Sequence, residues 1–169
     1  RSERTMSVQF QAENLGKEYG GRAVIDAVSF NLRDGSTLCA TGPNGSGKST
    51  LLRLCAGLLR SDAGSARLFV DGLRADIAGG RNCAYAAPDL RWYGELTARE
   101  NIALLHSGDA ERTSLCESFC ARFGLSPFLG TRLAEYSSGM SQRFSLSMAF
   151  GLDAPLVILD EPSSFLDSE

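Results

Sequence analysis

The segment Gly42-Pro43-Asn44-Gly45-Ser46-Gly47-Lys48-Ser49-Thr50 constrains this chain more than any other. It fits the pattern G-x-x-x-x-G-K-[ST], and its flanks suit it. The apolar run Leu38-Cys39-Ala40-Thr41 enters it, and Leu51, Leu52, Cys55, Leu58 and Leu59 follow at helical spacing. Strand, glycine-rich loop and helix are therefore expected in that order. Glycines let consecutive backbone N–H groups curl around phosphate oxygens, and the positive end of the following helix points at the same anion. In such a loop Lys48 reaches the β- and γ-phosphates of a nucleoside triphosphate. Ser49 ligates Mg²⁺ through its hydroxyl, because that ion takes few protein oxygens and keeps several waters. A nucleoside triphosphate and Mg²⁺ are the expected ligands.

The remaining pattern predicts an α/β chain. Val8-Gln9-Phe10-Gln11-Ala12-Glu13 alternates apolar with polar, as do Val28, Phe30 and Leu32 with their neighbours, so two half-buried antiparallel strands precede the loop. Leu68-Phe69-Val70 reads as a strand closed by the Asp71-Gly72 turn, and Cys83-Ala84-Tyr85 as another. From Thr97 the period becomes helical: Ala98, Ile102 and Leu105 share one face, and Cys116, Cys120 and Phe123 share another, giving a helical lobe over approximately 90–138. Met140, Phe144 and Met148 mark a third helix. Leu156-Val157-Ile158-Leu159 then reads as a strand buried on both faces.

That strand ends in Asp160-Glu161, two carboxylates delivered to the C-terminal edge of the sheet, where open α/β sheets bind ligands. Asp160 is placed to hold Mg²⁺ through water. Glu161, pointing to the other side, is placed to accept a proton from an attacking water, the one task that hydrolysis adds to binding.

Composition excludes several classes. The 169 residues suffice for one domain, 1–169, and the 18 glycines suit a loop-rich α/β chain. A formal net charge of −3 argues against gripping a nucleic-acid backbone, which needs a clustered basic face. No window approaches the roughly 18 consecutive apolar residues of a spanning helix, so any membrane link runs through a partner. The five cysteines are widely spaced and mostly embedded in apolar runs, the pattern of reduced thiols. Cys116 and Cys120 lack a second pair, and nothing in the sequence brings the only histidine, His106, to them.

Between the loop and the acidic pair lies Tyr136-Ser137-Ser138-Gly139-Met140-Ser141-Gln142-Arg143, which resembles the LSGGQ-x-Q-R signature of the ABC ATPase family. Tyr19 falls where that family carries an aromatic that stacks on adenine, and Ser164-Phe165-Leu166-Asp167 resembles its dimer-contact loop. The resemblance covers nearly the whole chain. It implies a P-loop NTPase core with an N-terminal antiparallel β subdomain and an inserted helical lobe. It also implies that Ser137, Ser138 and Gly139 meet a γ-phosphate bound by a second ATP-binding domain, in a head-to-tail dimer with two ATP molecules between the chains. The activity implied is ATP hydrolysis coupled to transport through a transmembrane permease subunit, with the chain peripheral on the cytoplasmic face of the cell membrane.

The YSSGM form of the signature resembles that of exporter ATPases, which makes export the expected direction. The glutamine that the family places after the strand at Cys83-Ala84-Tyr85 is missing, and Pro88 or Asp89 takes its place; Asp89 is a candidate magnesium ligand through its carboxylate. Trp92-Tyr93 falls where the family receives a helix of its membrane subunit, and packing into the helical lobe is the competing reading. Two other functions stay open: a soluble ABC ATPase in assembly or repair, and a nucleotide-binding regulator with little hydrolysis. No long coiled coil separates Lys48 from Asp160, and Lys48, Asp160 and Glu161 are all present, which favours the transport motor. The family continues with a further helix and strand beyond the dimer-contact loop, so the domain is expected to be C-terminally incomplete at Glu169 and weakly active in this form.

Overall fold

The computed structural model describes residues 6–78 and 81–163. The chain forms two compact units, Arg1–Cys83 and Ala84–Glu169.

The first unit is built on four antiparallel strands in the order β2-β1-β3-β4, namely β1 (Val8–Tyr19), β2 (Arg22–Arg33), β3 (Ala63–Val70) and β4 (Leu73–Ala75). Alternation puts Phe10 and Ala12 of β1 into the core, with Leu68 of β3 on the same side. The alternation visible in the sequence stops at Glu13, yet β1 continues to Tyr19. Register shifts after Ala12, Leu15 and Lys17 carry it, Asn14 sits at φ 46°, and its N–H donates to Ser29 Oγ at 2.8 Å. Bulged residues reset which side faces inward, so Leu15 is again buried. Asp71 and Gly72, both at positive φ, make the two-residue turn from β3 to β4 that the sequence signalled.

Helix α1 (Lys48–Cys55) follows the glycine-rich loop but ends one turn earlier than the apolar spacing suggests. Gly57, at φ 68°, stops it in the left-handed conformation that closes many helices, and Leu58 is left exposed. The strand expected at Leu38–Thr41 does not form. A strand exists only where a neighbour accepts its ladder of hydrogen bonds, and none of the described residues pairs with this run; Leu38 is half exposed.

The second unit holds β5 (Cys83–Ala86), which starts at the boundary, α2 (Ala98–Leu105), α3 (Ala110–Arg122), α4 (Ser138–Gly151) and β6 (Leu156–Leu159). Thr97 opens α2 with a reciprocal cap: its hydroxyl accepts from Glu100 N–H while the Glu100 carboxylate accepts from Thr97 N–H. That exchange holds the Glu100 carboxyl below its usual range. Ile102, Cys116, Cys120, Phe144 and Met148 pack together at the centre of α2, α3 and α4, as their helical spacing predicts. Strands β5 and β6 pair, and Ala84, Ala86 and Leu159 pack with Leu146 and Ala149 of α4. Expected to be buried on both faces, β6 buries Ile158 on one and packs Leu159 against the α4 cluster on the other, while Val157, on the face of Leu159, stays 38% exposed.

Candidate functional site

The glycine-rich loop stands in the first unit. Gly42, Pro43, Asn44, Gly45 and Ser46 are exposed, and Gly47, at φ 93°, takes the position before the first turn of α1. Glycine is required at both ends of this loop. A Cβ on Gly42 would meet Ser46 Oγ at 2.9 Å, and one on Gly47 would meet Val24 at 3.0 Å, each in a backbone conformation hostile to side chains. Because Gly47 has no side chain, no cap accepts from the first N–H groups of α1, and no acidic residue lies in its first turn. Lys48, Ser49 and Thr50 thus open a helix whose positive end has no carboxylate of its own first turn to neutralise it. The Lys48 ammonium donates to the carbonyls of Gly42 and Pro43 at 2.9 and 3.0 Å, so the lysine braces the loop rather than standing free of it. Tyr19, at the end of β1, is half exposed, with the Lys17 ammonium 5.5 Å from its ring centroid.

In the second unit, β6 delivers Asp160 and Glu161 as its pattern requires. Asp160 is 4% exposed; its N–H donates to Ala86 O at 2.8 Å, and its Oδ2 accepts from the Tyr85 hydroxyl at 3.4 Å. Glu161 is exposed and adopts φ 49°, a conformation that ordinary side chains avoid. Its carbonyl accepts from Gln142 Nε2 at 3.4 Å, which ties the strand end to α4. Asp89 lies exposed in the turn after β5, where Leu90 N–H closes back on Ala87 O at 3.1 Å.

Helix α4 begins at the signature-like segment. Ser137 caps it by accepting from Met140 N–H at 3.2 Å, and Ser138 and Gly139 form its first residues. Ser137 and Ser138 are exposed. Tyr136, where the family pattern has leucine, is buried edge-on to Phe144, and its hydroxyl donates to Phe128 O at 2.9 Å; burial pushes its pKa up to about 12. Trp92 packs against the helical core, its indole N–H donating to Ser145 Oγ at 2.8 Å, whereas Tyr93 is 61% exposed. Trp92 thus follows the packing reading, and Tyr93 does not.

Each unit keeps its own expected residues on a continuous local scaffold: the loop on α1, the carboxylates on β6, the serines on α4. The run Ser164–Asp167 lies outside the described residues. Sequence reasoning missed Tyr85 and the buried Asn101. Tyr85 had a signal, since alternation in β5 turns it away from Ala84 and Ala86, toward the face that Asp160 shares. Magnesium is the ion that the pattern implies. The donors fit it by chemistry: the Ser49 hydroxyl and the Asp160 carboxylate are hard oxygens of the kind this ion takes one or two at a time.

The ABC transporter family model matches residues 25–164. The chain is 34% identical over 160 residues to the cytochrome c biogenesis ATP-binding export protein CcmA of Agrobacterium fabrum, covering 92% of this chain and 75% of that one. It is 31% identical over 167 residues to the Fe(3+) ions import ATP-binding protein FbpC 2 of Rhodococcus jostii, covering 96% of this chain and 48% of that one, so it spans about half the length of this second relative. A solved structure of the ATP binding subunit of an ABC transporter superposes with a TM-score of 0.76 at 30% identity, over 90% of this chain and 66% of that one.

Proposed function

The chain belongs to the ABC transporter family of ATP-binding domains, and on that premise we propose that it is the ATP-binding and hydrolysing motor of a membrane transporter. The observation that carries the reading is the opening of α1: a helix start with no capping side chain and no first-turn acid, preceded by glycines, with a lysine at its first position. In this reading the loop Gly42–Thr50 encloses the triphosphate, Tyr19 stacks on adenine, and Lys48 exchanges its two loop carbonyls for phosphate oxygens. Ser137, Ser138 and Gly139 receive the γ-phosphate held by a second such domain, arranged head to tail. Glu161 accepts a proton from the attacking water. Ser49 and Asp160, with Asp89 as a further candidate, hold magnesium, which when bound neutralises charge developing on the phosphates. No described helix is long and apolar enough to cross a membrane, and coupling runs through a permease subunit at the cytoplasmic face.

Export is the direction we propose. The YSSGM form of the signature supports it. The test uses the full-length protein with its membrane partner. Glu161→Gln should keep ATP binding but slow phosphate release about a hundredfold or more, as loss of a general base does, and an ATP-dependent dimer should accumulate. Unchanged turnover removes Glu161 from the mechanism. Unchanged nucleotide affinity in Lys48→Ala, measured by calorimetry, removes the loop.

A further inference from the structure

We propose that Tyr85 is a positioning residue for the metal-holding carboxylate: its phenol fixes one oxygen of Asp160 so that the other is presented to magnesium. The inference rests on the reading of Asp160 given above.

Pleating carries the argument. Ala84 and Ala86, at 0% and 1% exposure, share a cluster with Leu146 and Ala149, so the period of two turns Tyr85 to the opposite face of β5. On β6, Leu159 packs on the same cluster, which turns Ile158 and Asp160 to the opposite face as well. The hydrogen bond from Asp160 N–H to Ala86 O, at 2.8 Å, then fixes the level of Asp160 along β5. Tyr85 is thereby left facing the carboxylate, and its hydroxyl donates to Asp160 Oδ2 at 3.4 Å.

The last torsion of an aspartate is broad and two-fold, so backbone placement alone does not fix the plane in which an oxygen faces a ligand. A single phenolic proton does. It meets a group that is 4% exposed, where solvent competes little for the bond. The separation is long for a hydroxyl donor, so the bond contributes orientation more than energy. Partners of this kind behind a group that holds a metal, here through water, govern metal affinity while leaving the direct ligands unchanged.

The experiment titrates a fluorescent ATP analogue into the full chain, once in EDTA and again at stepped MgCl₂ concentrations, for the unsubstituted protein, Tyr85→Phe and Asp160→Asn. Tyr85→Phe removes one oxygen from a half-buried ring, and matched thermal unfolding verifies the fold. Affinity in EDTA should be unchanged in Tyr85→Phe, while the magnesium concentration at half effect rises about tenfold, at the low end for loss of such a partner. Adding Tyr85→Phe to Asp160→Asn should change nothing further. If Asp160→Asn abolishes the magnesium effect but Tyr85→Phe titrates like the unsubstituted protein, the positioning role is overturned while the role of Asp160 stands. Equal weakening of Tyr85→Phe in EDTA and magnesium also overturns it, since Tyr85 then serves nucleotide or fold. A magnesium effect that survives Asp160→Asn removes the premise, and the proposal with it.

Discussion

The side chain of Asn101 exchanges two hydrogen bonds with the backbone of Tyr93: Oδ1 accepts from Tyr93 N–H and Nδ2 donates to Tyr93 O, each at 3.0 Å. Nδ2 also reaches the carbonyls of Leu96 and Thr97, at 3.4 and 3.0 Å, from a fully buried position. One amide thus sets the course of the loop that carries the exposed Tyr93 ring into α2. Replacing Asn101 by Leu keeps the bulk but strands these backbone groups, at about 1–3 kcal/mol for each one left buried and unsatisfied. The expected result is a loss of about 2 kcal/mol or more in urea unfolding, with amide exchange accelerated at Tyr93. An Asn101→Leu protein as stable as the parent would show that water takes over these bonds.

Gly151 lies where α4 crosses α3. A Cβ there would sit 2.4 Å from Cys116 Sγ and 2.6 Å from Cys116 Cα, so the obstruction includes backbone. Gly151→Ala should cost about 1–3 kcal/mol or more through overpacking, read as a lowered urea midpoint. Adding Cys116→Ala should recover only part of it, because the main chain of residue 116 still stands in the way; full recovery would locate the conflict in the sulfur alone.

All five cysteines are free thiols, and only Cys39 is exposed. Burial pushes Cys55, Cys83 and Cys116 up to about 12 and raises Cys120, so none of these four supplies thiolate near neutral pH. Brief treatment of the folded protein with iodoacetamide at about pH 7.5, below the ordinary thiol pKa, should add one carbamidomethyl group, on Cys39, and treatment in guanidinium should add five. Early labelling of a second site in the folded protein would contradict this burial pattern.

His106 is 7% exposed, with Nε2 3.5 Å from Cys116 Sγ. Burial, then the Arg112 guanidinium, lower its pKa, with Asp109 acting in the opposite direction. The unfolded chain therefore binds a proton at a pH where the native state does not, and stability falls as pH drops below about 6.5 toward the folded pKa. Melting temperatures from about pH 7.5 to about pH 5, a range spanning the ordinary histidine pKa, should decline more steeply for the parent than for His106→Gln. Parallel profiles would mean that other groups govern the acid limb.

Legibility followed locality. The loop was readable because its glycines answer to contacts within a few residues, such as Gly42 against Ser46. Thr97 was readable as a helix start for the same reason, its cap partner Glu100 lying three residues on. The far half of β1 was not, since the bulges at Asn14 and beyond shift the inward face and erase the alternation. Leu38–Thr41 looked like a strand by composition alone, and composition cannot supply a pairing neighbour. Asn101 was invisible for a related reason: its partners are backbone atoms, whose positions no residue type records.

Glu161 stands at φ 49°, where a side chain costs of order 1–3 kcal/mol and glycine costs nothing. On the role proposed for Glu161, durability and chemistry ask for different residues at this position. A library of variants screened for heat resistance alone should drift at position 161 toward glycine or asparagine, and every such winner would be a sturdier protein without a proton acceptor at that point. Glutamine shares the backbone penalty of glutamate, so comparing these two isolates the charge, whereas comparing glutamate with glycine measures how much robustness the chain forgoes to keep a carboxylate there.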